Sequence, residues 1–202
     1  GLMVSDGYYF YVADRCIDPG VQSSHARMVY CEIVNVGDLV SSIIGAHEAF
    51  VVDSGLEMMY EAESDVFVRG DADMIRQATA NLISNAVRYT PEGGTITVKV
   101  YKGEIMASIM VQDTGIGLTP EEAKMVFSRF WRAEAGRNRE SGGLGIGLTV
   151  VKEIVARHDG WVQVEGRKGE GACFTIHIPL YDEREQRRKN SRNTGRMNRV
   201  SR

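Results

Sequence analysis

The sequence predicts an α+β fold: a two-layer α/β sandwich in which helices lie on one face of a mixed sheet. Two observations carry this expectation. The stretches "ADMIRQATANLISNAVRY" and "IGLTVVKEIVARH" repeat apolar residues at helical spacing. The segments "TITVKVY" and "EIMASIMVQD" alternate as a strand pair, and "WVQVEG" with "ACFTIHIPL" closes the sheet. Helices and sheet each have an apolar face to bury, and burying one on the other gives two layers.

Taken in order, residues 1–29 mix aromatics with Asp, Gly, Pro and Ser without a sustained period and read as a loose leading segment. "CEIVNV" reads as a short strand, and Asp38 is placed to cap a helix running to about His47–Val51, with Leu39, Val40, Ile43 and Ile44 at helical spacing. "LEMMYEAE" and "VFVRGD" read as strands. From Asp71 the clearest helix sets Ile75, Ala78, Leu82, Ala86 and Tyr89 on one face and stops at "TPEGG". The next two strands turn at Lys102-Gly103. Thr119-Pro120-Glu121-Glu122 supplies a cap, a proline at the first helical position and an acid at the third, so a short helix is expected through "AKMVFSRFW". "RAEAGRNRESGG" is polar and glycine-punctuated, a mobile loop, and the second long helix ends at Asp159-Gly160. One domain over residues 30–181 is expected, flanked by the leading segment and a tail over residues 182–202.

Of the 202 residues, 43% are hydrophobic and 25% charged, ordinary for a globular protein, and no apolar run approaches a membrane span. Cys16, Cys31 and Cys173 are far apart and odd in number, which suits neither a disulfide framework nor a zinc site and points to a reducing, cytoplasmic setting. The sequence opens on Gly1 without a signal-peptide pattern and reads as a fragment of a longer chain. Its net charge of −3 hides an asymmetry: residues 182–202 carry eight Lys/Arg against three Asp/Glu, leaving 16 against 24 in the body. The basic tail reads as a disordered solvated extension, with no nucleic-acid partner expected.

Three groups of residues carry chemistry. On the first long helix Asn81 and Asn85 are four apart and Arg88 follows, a polar stripe beside the apolar face. Asparagine is a poor helix former. Its amide oxygen is a hard, neutral ligand suited to Mg²⁺ that keeps waters and phosphate oxygens, and Arg88 would neutralise phosphate. In "DTGIGLTPEE", Asp113 ends a strand where its carboxylate can accept from an exocyclic amine such as adenine's, and Gly115 and Gly117 let a flat ring approach the backbone. In "SGGLGIGL", glycines at 142, 143, 145 and 147 expose amides at a helix N-terminus, which attracts phosphate. That stretch fits neither a Walker loop nor a G-x-G-x-x-G turn.

In this order and spacing, "NLISNAVRYTPEGG", "DTGIGL", "FSRFW" and "GGLGIGLTVVKEIVARHDG" resemble the N, first-glycine, F and second-glycine boxes of the sensor histidine kinase catalytic domain, of the GHKL ATP-binding family. The resemblance covers about residues 30–180. It implies that Asn81 and Asn85 hold Mg²⁺-phosphate, that Arg88 stands where the family usually has lysine, that Tyr89 packs on adenine and that Asp113 binds its amino group. Gly115, Gly117, Gly143, Gly145 and Gly147, with Leu144 and Leu148, would frame an ATP lid. Phe127 and Phe130 would anchor the lid, and Arg129 or Arg132 would reach the γ-phosphate. Leu144 departs from the Thr or Ser usual at its place.

The family's acceptor histidine belongs to a dimeric helical hairpin, in a motif similar to His-Glu/Asp-x-Arg/Lys-x-Pro. His47 is followed by Glu48 but then by "AFVV"; His25, His158 and His177 also lack the motif. The expected function is therefore that of an ATP- and Mg²⁺-dependent catalytic domain transferring the γ-phosphoryl to a histidine of a hairpin outside this chain. The parent is expected to be a homodimer signalling to a response regulator. The alternatives are a GHKL ATPase, in which a glutamate at the place of Asn81 would activate water, and a nucleotide-binding module without catalysis.

Overall fold

A computed structural model describes residues 10–12 (backbone only), 31–129 and 146–182. Two strands, β1 (Phe10–Val12) and β2 (Glu32–Asn35), precede helix α1 (Val36–Asp53). Strands β3 (Glu57–Ala62) and β4 (Phe67–Gly70) lead to helix α2 (Ala72–Tyr89), then β5 (Thr95–Lys102) and β6 (Met106–Asp113). Helices α3 (Pro120–Met125) and α4 (Gly147–Arg157) are followed by β7 (Trp161–Arg167) and β8 (Gly171–Pro179). The six-stranded sheet runs β1-β7-β8-β6-β5-β3. It is mixed: β3 lies parallel to β5, with α2 in the crossover between them, and its other pairings are antiparallel. β2 and β4 form a separate two-stranded sheet.

Alternation in the strands builds the core. Val98, Val111, Phe174 and Val164 face one another across four strands in register, and Val100, Ile109, Ile176 and Val162 form the next row. All eight are buried, as are Val40 and Ile43 of α1, Ile75, Leu82 and Ile83 of α2, and Val151, Ile154 and Val155 of α4. This is the expected two-layer sandwich. On the opposite face the register lines up Tyr101, Ser108, His177 and Trp161, with Trp161 stacked on His177 at 4.9 Å between ring centroids and His177 Nδ1 sharing a 2.8 Å hydrogen bond with Ser108 Oγ.

Three local expectations change. Asn35, not Asp38, caps α1: its side chain accepts from Asp38 N, which leaves the Asp38 carboxylate in the first turn, where the helix dipole favours an acid. α3 has the full Thr119/Glu122 capping box but stops at Met125 rather than continuing through the F-box residues. Beyond Met125 the chain tightens into a turn, with Ser128 N donating to Met125 O at 2.8 Å, three residues back rather than four. α4 ends at Asp159-Gly160 as expected, with Asp159 at positive φ. Phe10–Val12, inside the segment read as loose, pairs with β7 as an edge strand. The polar loop and tail lie outside the described residues, as do the proposed lid residues Phe130, Arg132, Gly143, Leu144 and Gly145.

Candidate functional site

Asp113 ends β6 beneath the turn into α3, 5% exposed. Its Oδ1 accepts from Gly115 N at 2.8 Å and from Ala172 N at 3.3 Å, so one oxygen is spent holding the loop and the neighbouring strand. No hydrogen bond engages Oδ2 among the described residues. Burial raises the carboxyl's pKa above the ordinary aspartate value, and the two amide bonds oppose that rise.

The glycines beside it act first on the protein itself. A Cβ on Gly115 would strike the Tyr89 carbonyl oxygen, which accepts from Ile116 N at 3.1 Å. A Cβ on Gly117, whose φ is +64°, would strike the Arg167 carbonyl of the β7–β8 turn. A packing requirement thus stands beside the sequence expectation that these glycines let a ring approach. They bring the loop against α2 on one side and the β7–β8 turn on the other, and only Gly117 also lines the cavity that results.

That cavity is bounded by Asn85, Tyr89, Asp113, Ile116, Gly117, Leu118, Val126, Leu148, Ala172 and Phe174, and encloses about 360 Å³ of empty space, part of it open to solvent. It is apolar except for Asn85, Tyr89 and Asp113, the character of a site for a flat ring held by one or two polar groups. The structure thus brings together Asn85, Tyr89, Asp113, Gly117 and Leu148 from three separated motifs. Phe174, on the cavity wall, is met edge-on by buried Phe127 at 6.2 Å between ring centroids, so Phe127 serves as an anchor under the segment that leads out of α3. Thr149 Oγ1 donates to Phe127 O at 3.2 Å, tying the same segment to the first turn of α4.

Asn81 stands one turn before Asn85, at the α4 side: its Nδ2 donates to Gly147 O at 3.3 Å, which leaves its Oδ1 as the free acceptor. Among the described residues no cluster of three His, Cys, Asp or Glu side chains stands ready for a metal. Any cation here would depend on the neutral asparagine oxygens and on phosphate oxygens, the ligand set Mg²⁺ accepts with nucleotides. Arg88 lies on α2 but does not line the cavity. Arg129 is turned away from it: its guanidinium meets Glu153 at 3.2 Å on the outer side of α4, and both side chains are exposed. Such a surface pair is weak and holds Arg129 only loosely.

The residues missed by the sequence reading are the apolar walls, Ile116, Leu118, Val126, Ala172 and Phe174. Phe174 carried a signal, since it is the aromatic at an inward position of an alternating strand; the others are indistinguishable in sequence from core.

Comparison with known proteins agrees with this fold. The family model for histidine kinase-, DNA gyrase B-, and HSP90-like ATPases matches residues 70–182. The sensor-like histidine kinase SenX3 of Mycobacterium tuberculosis is 37% identical over 146 residues, 72% of this chain and 36% of that protein. The sensor histidine kinase CusS of Escherichia coli is 36% identical over 148 residues, 73% of this chain and 30% of that protein. The chain thus spans about a third of the length of the curated relatives it matches. Among solved structures, the mycobacterial sensor histidine kinase MprB superposes with a TM-score of 0.67 at 27% identity, covering 74% of this chain and 98% of that one. With this fold and these boxes in place, the chain belongs to the histidine kinase-, DNA gyrase B-, and HSP90-like ATPase family, in the form carried by sensor histidine kinases.

Proposed function

We propose that residues 30–181 form a unit that binds Mg²⁺–ATP in this cavity and presents the γ-phosphoryl to a histidine on a helical hairpin outside the chain. The observation that carries the reading is Asp113: a buried carboxylate with one oxygen committed to two amides and the other unbonded at a flat apolar cavity. There Oδ2 accepts from the exocyclic amine of adenine, and Tyr89 lies against the ring. Asn81 and Asn85 offer amide oxygens one helical turn apart towards the phosphates, and Arg88 of the same helix would add positive charge; Arg129 would have to leave its surface pair with Glu153 to reach the γ-phosphate, and Arg132 lies outside the described residues. Mg²⁺, when bound, would neutralise phosphate charge and orient the γ-phosphoryl. These residues position and neutralise; among the described residues lining the cavity none other than Asp113 is a carboxylate, and Asp113 is taken up by the base. Asn81 cannot accept a proton from water, which disfavours the ATPase reading. The parent kinase, dimeric through its hairpin and facing the cytoplasm, would pass the phosphoryl to a response regulator.

The test is γ-labelled ATP with the chain alone and with a separately supplied cognate hairpin. The chain alone is expected to bind ATP without labelling itself, and the mixture to give acid-labile, base-stable label on the hairpin. Transfer should be slow, since the covalent link that supplies effective concentration is missing. Strong label at His25 or His47, or steady phosphate release with no label on either partner, overturns the proposal.

A further inference from the structure

α2 opens with half of a capping box supplied locally. Asp71 Oδ1 accepts from Met74 N at 3.0 Å, but Met74, at the third helical position, has no oxygen to return to the Asp71 N–H. α3 shows the ordinary arrangement, in which Glu122 Oε2 accepts from Thr119 N at 2.9 Å. In α2 the missing acceptor comes from far along the chain: Asp71 N donates to His158 Nε2 at 3.0 Å. The other ring nitrogen, Nδ1, lies 2.7 Å from Ile154 O. A carbonyl only accepts and an amide only donates, so the ring is the Nδ1–H tautomer with both nitrogens engaged. His158 is 6% exposed, and Gly70 leaves its space clear: a Cβ there would strike the ring at Cδ2 and lie 2.7 Å from Nε2.

α2 and α4 run antiparallel, and the same two helices are tied again at the opposite end of α4, where Asn81 Nδ2 meets Gly147 O. Between the two ties the buried residues are apolar, Ile75 and Ala78 on α2 and Val151 and Ile154 on α4, so the polar ties are the directional contacts that fix how the two helices align end to end. We propose that His158 is a positioning residue for the nucleotide site. It completes the α2 capping box from the C-terminus of α4, and so sets the register of Asn81 and Asn85 against the α4 first turn at Gly147 and Leu148. It touches no ligand itself. The proposal rests on the reading of the cavity as a nucleotide site.

The experiment compares His158→Gln, His158→Asn, and His158→Asn combined with Met74→Glu, the last measured against Met74→Glu alone. Glutamine carries an oxygen out to the place of Nε2; asparagine puts its amide nitrogen at Nδ1 and reaches no further. Thermal midpoint is read without nucleotide, and affinity with a non-hydrolysable ATP analogue and Mg²⁺. His158→Gln is expected to recover affinity to within about twofold of the parent, whereas His158→Asn, with the Asp71 N–H left buried and unpaired, weakens it about tenfold. Adding Met74→Glu supplies a local acceptor and should restore the midpoint but not the affinity. Recovery of affinity along with the midpoint would make His158 a helix cap only and overturn the proposal, as would equal affinity in the Gln and Asn variants. If His158→Asn does not fold, loss of affinity in His158→Gln at the parent's midpoint overturns it. Failure of the parent to bind the analogue counts against the nucleotide reading alone. Amide exchange at Val150, whose N–H donates to Ile146 O in the first turn of α4, still reads the tie: slow in the parent and Gln variant, faster in the Asn variant. Equal exchange in all three overturns it.

Discussion

Asp113 is a carboxylate kept where a carboxylate is costly. Burial raises its pKa, so the stability it lends the fold is fully present below the unfolded value of 3.8 and is lost as pH rises through the folded value. At neutral pH the ionised group is therefore a net cost to the empty protein. Asp113→Asn keeps an oxygen for Gly115 N and Ala172 N, so nucleotide-free melting at pH 7 should match or exceed the parent's, with the difference vanishing on acidification. The same variant should bind adenine nucleotides at least about tenfold more weakly, because an amide can present a donor to the ring amine. Lower melting with unchanged affinity would remove Asp113 from the site. The glycines next to it were legible as glycines that something requires, though the reason was not: "DTGIGL" cannot show that the obstacles are the carbonyls of Tyr89 and Arg167, which come from elsewhere in the chain. Gly117→Ala combines a left-handed φ with a backbone collision and should lose about 2 kcal/mol or more in urea unfolding. Gly45→Ala, in α1 with nothing within 4 Å of the added carbon, should gain up to about 1 kcal/mol.

Helices and strands were readable wherever period and cap lay in one stretch of sequence. Asp71, Thr119 and the apolar stripes of α2 and α4 placed three helices, because local hydrogen bonds and one buried face decide them. Where a decision passed to distant parts, the reading failed. β1 owes its existence to the free edge of β7, and past Met125 the end of α3 gives way to a turn whose Phe127 carbonyl is taken by Thr149 of α4. His177 shows the same limit. It reads as one more alternating residue of β8, yet it is stacked on Trp161, and burial lowers its pKa below the ordinary 6.5. A histidine with a lowered folded pKa gives stability that is present above 6.5 and lost as pH falls through the folded value. Unfolding stability should therefore drop as pH is lowered below about 6.5, and His177→Phe, which keeps a ring against Trp161, should flatten that part of the profile. An unchanged slope in denaturant titrations at a series of pH values would show that other groups carry it.

At the scale of the whole molecule, a site assembled from α2, the β6 end and α4 couples ligand to global stability. No helix among the described residues is long and apolar enough to cross a membrane. Mg²⁺–ATP at a hundred times its dissociation constant should add about 2.7 kcal/mol, a shift that grows with ligand concentration. Asn85→Ala should lose the Mg²⁺-dependent part of that shift while melting like the parent without ligand, since the side chain lines the cavity rather than the core. A full shift in the variant, or none in the parent, would refute the metal role or the nucleotide site respectively. β4 has a mechanical consequence. Val68 pairs with Val34 of β2 on one side and bridges Leu180 on the other, while Tyr181 N donates to Phe67 O at 2.8 Å. β2 and the segment that follows β8 therefore grip opposite edges of the same four-residue strand. Tension applied at Glu32 and Tyr181 themselves is borne in shear by this small clasp, so such a pull would part β4 from its neighbours while the walls around Asp113 still stood.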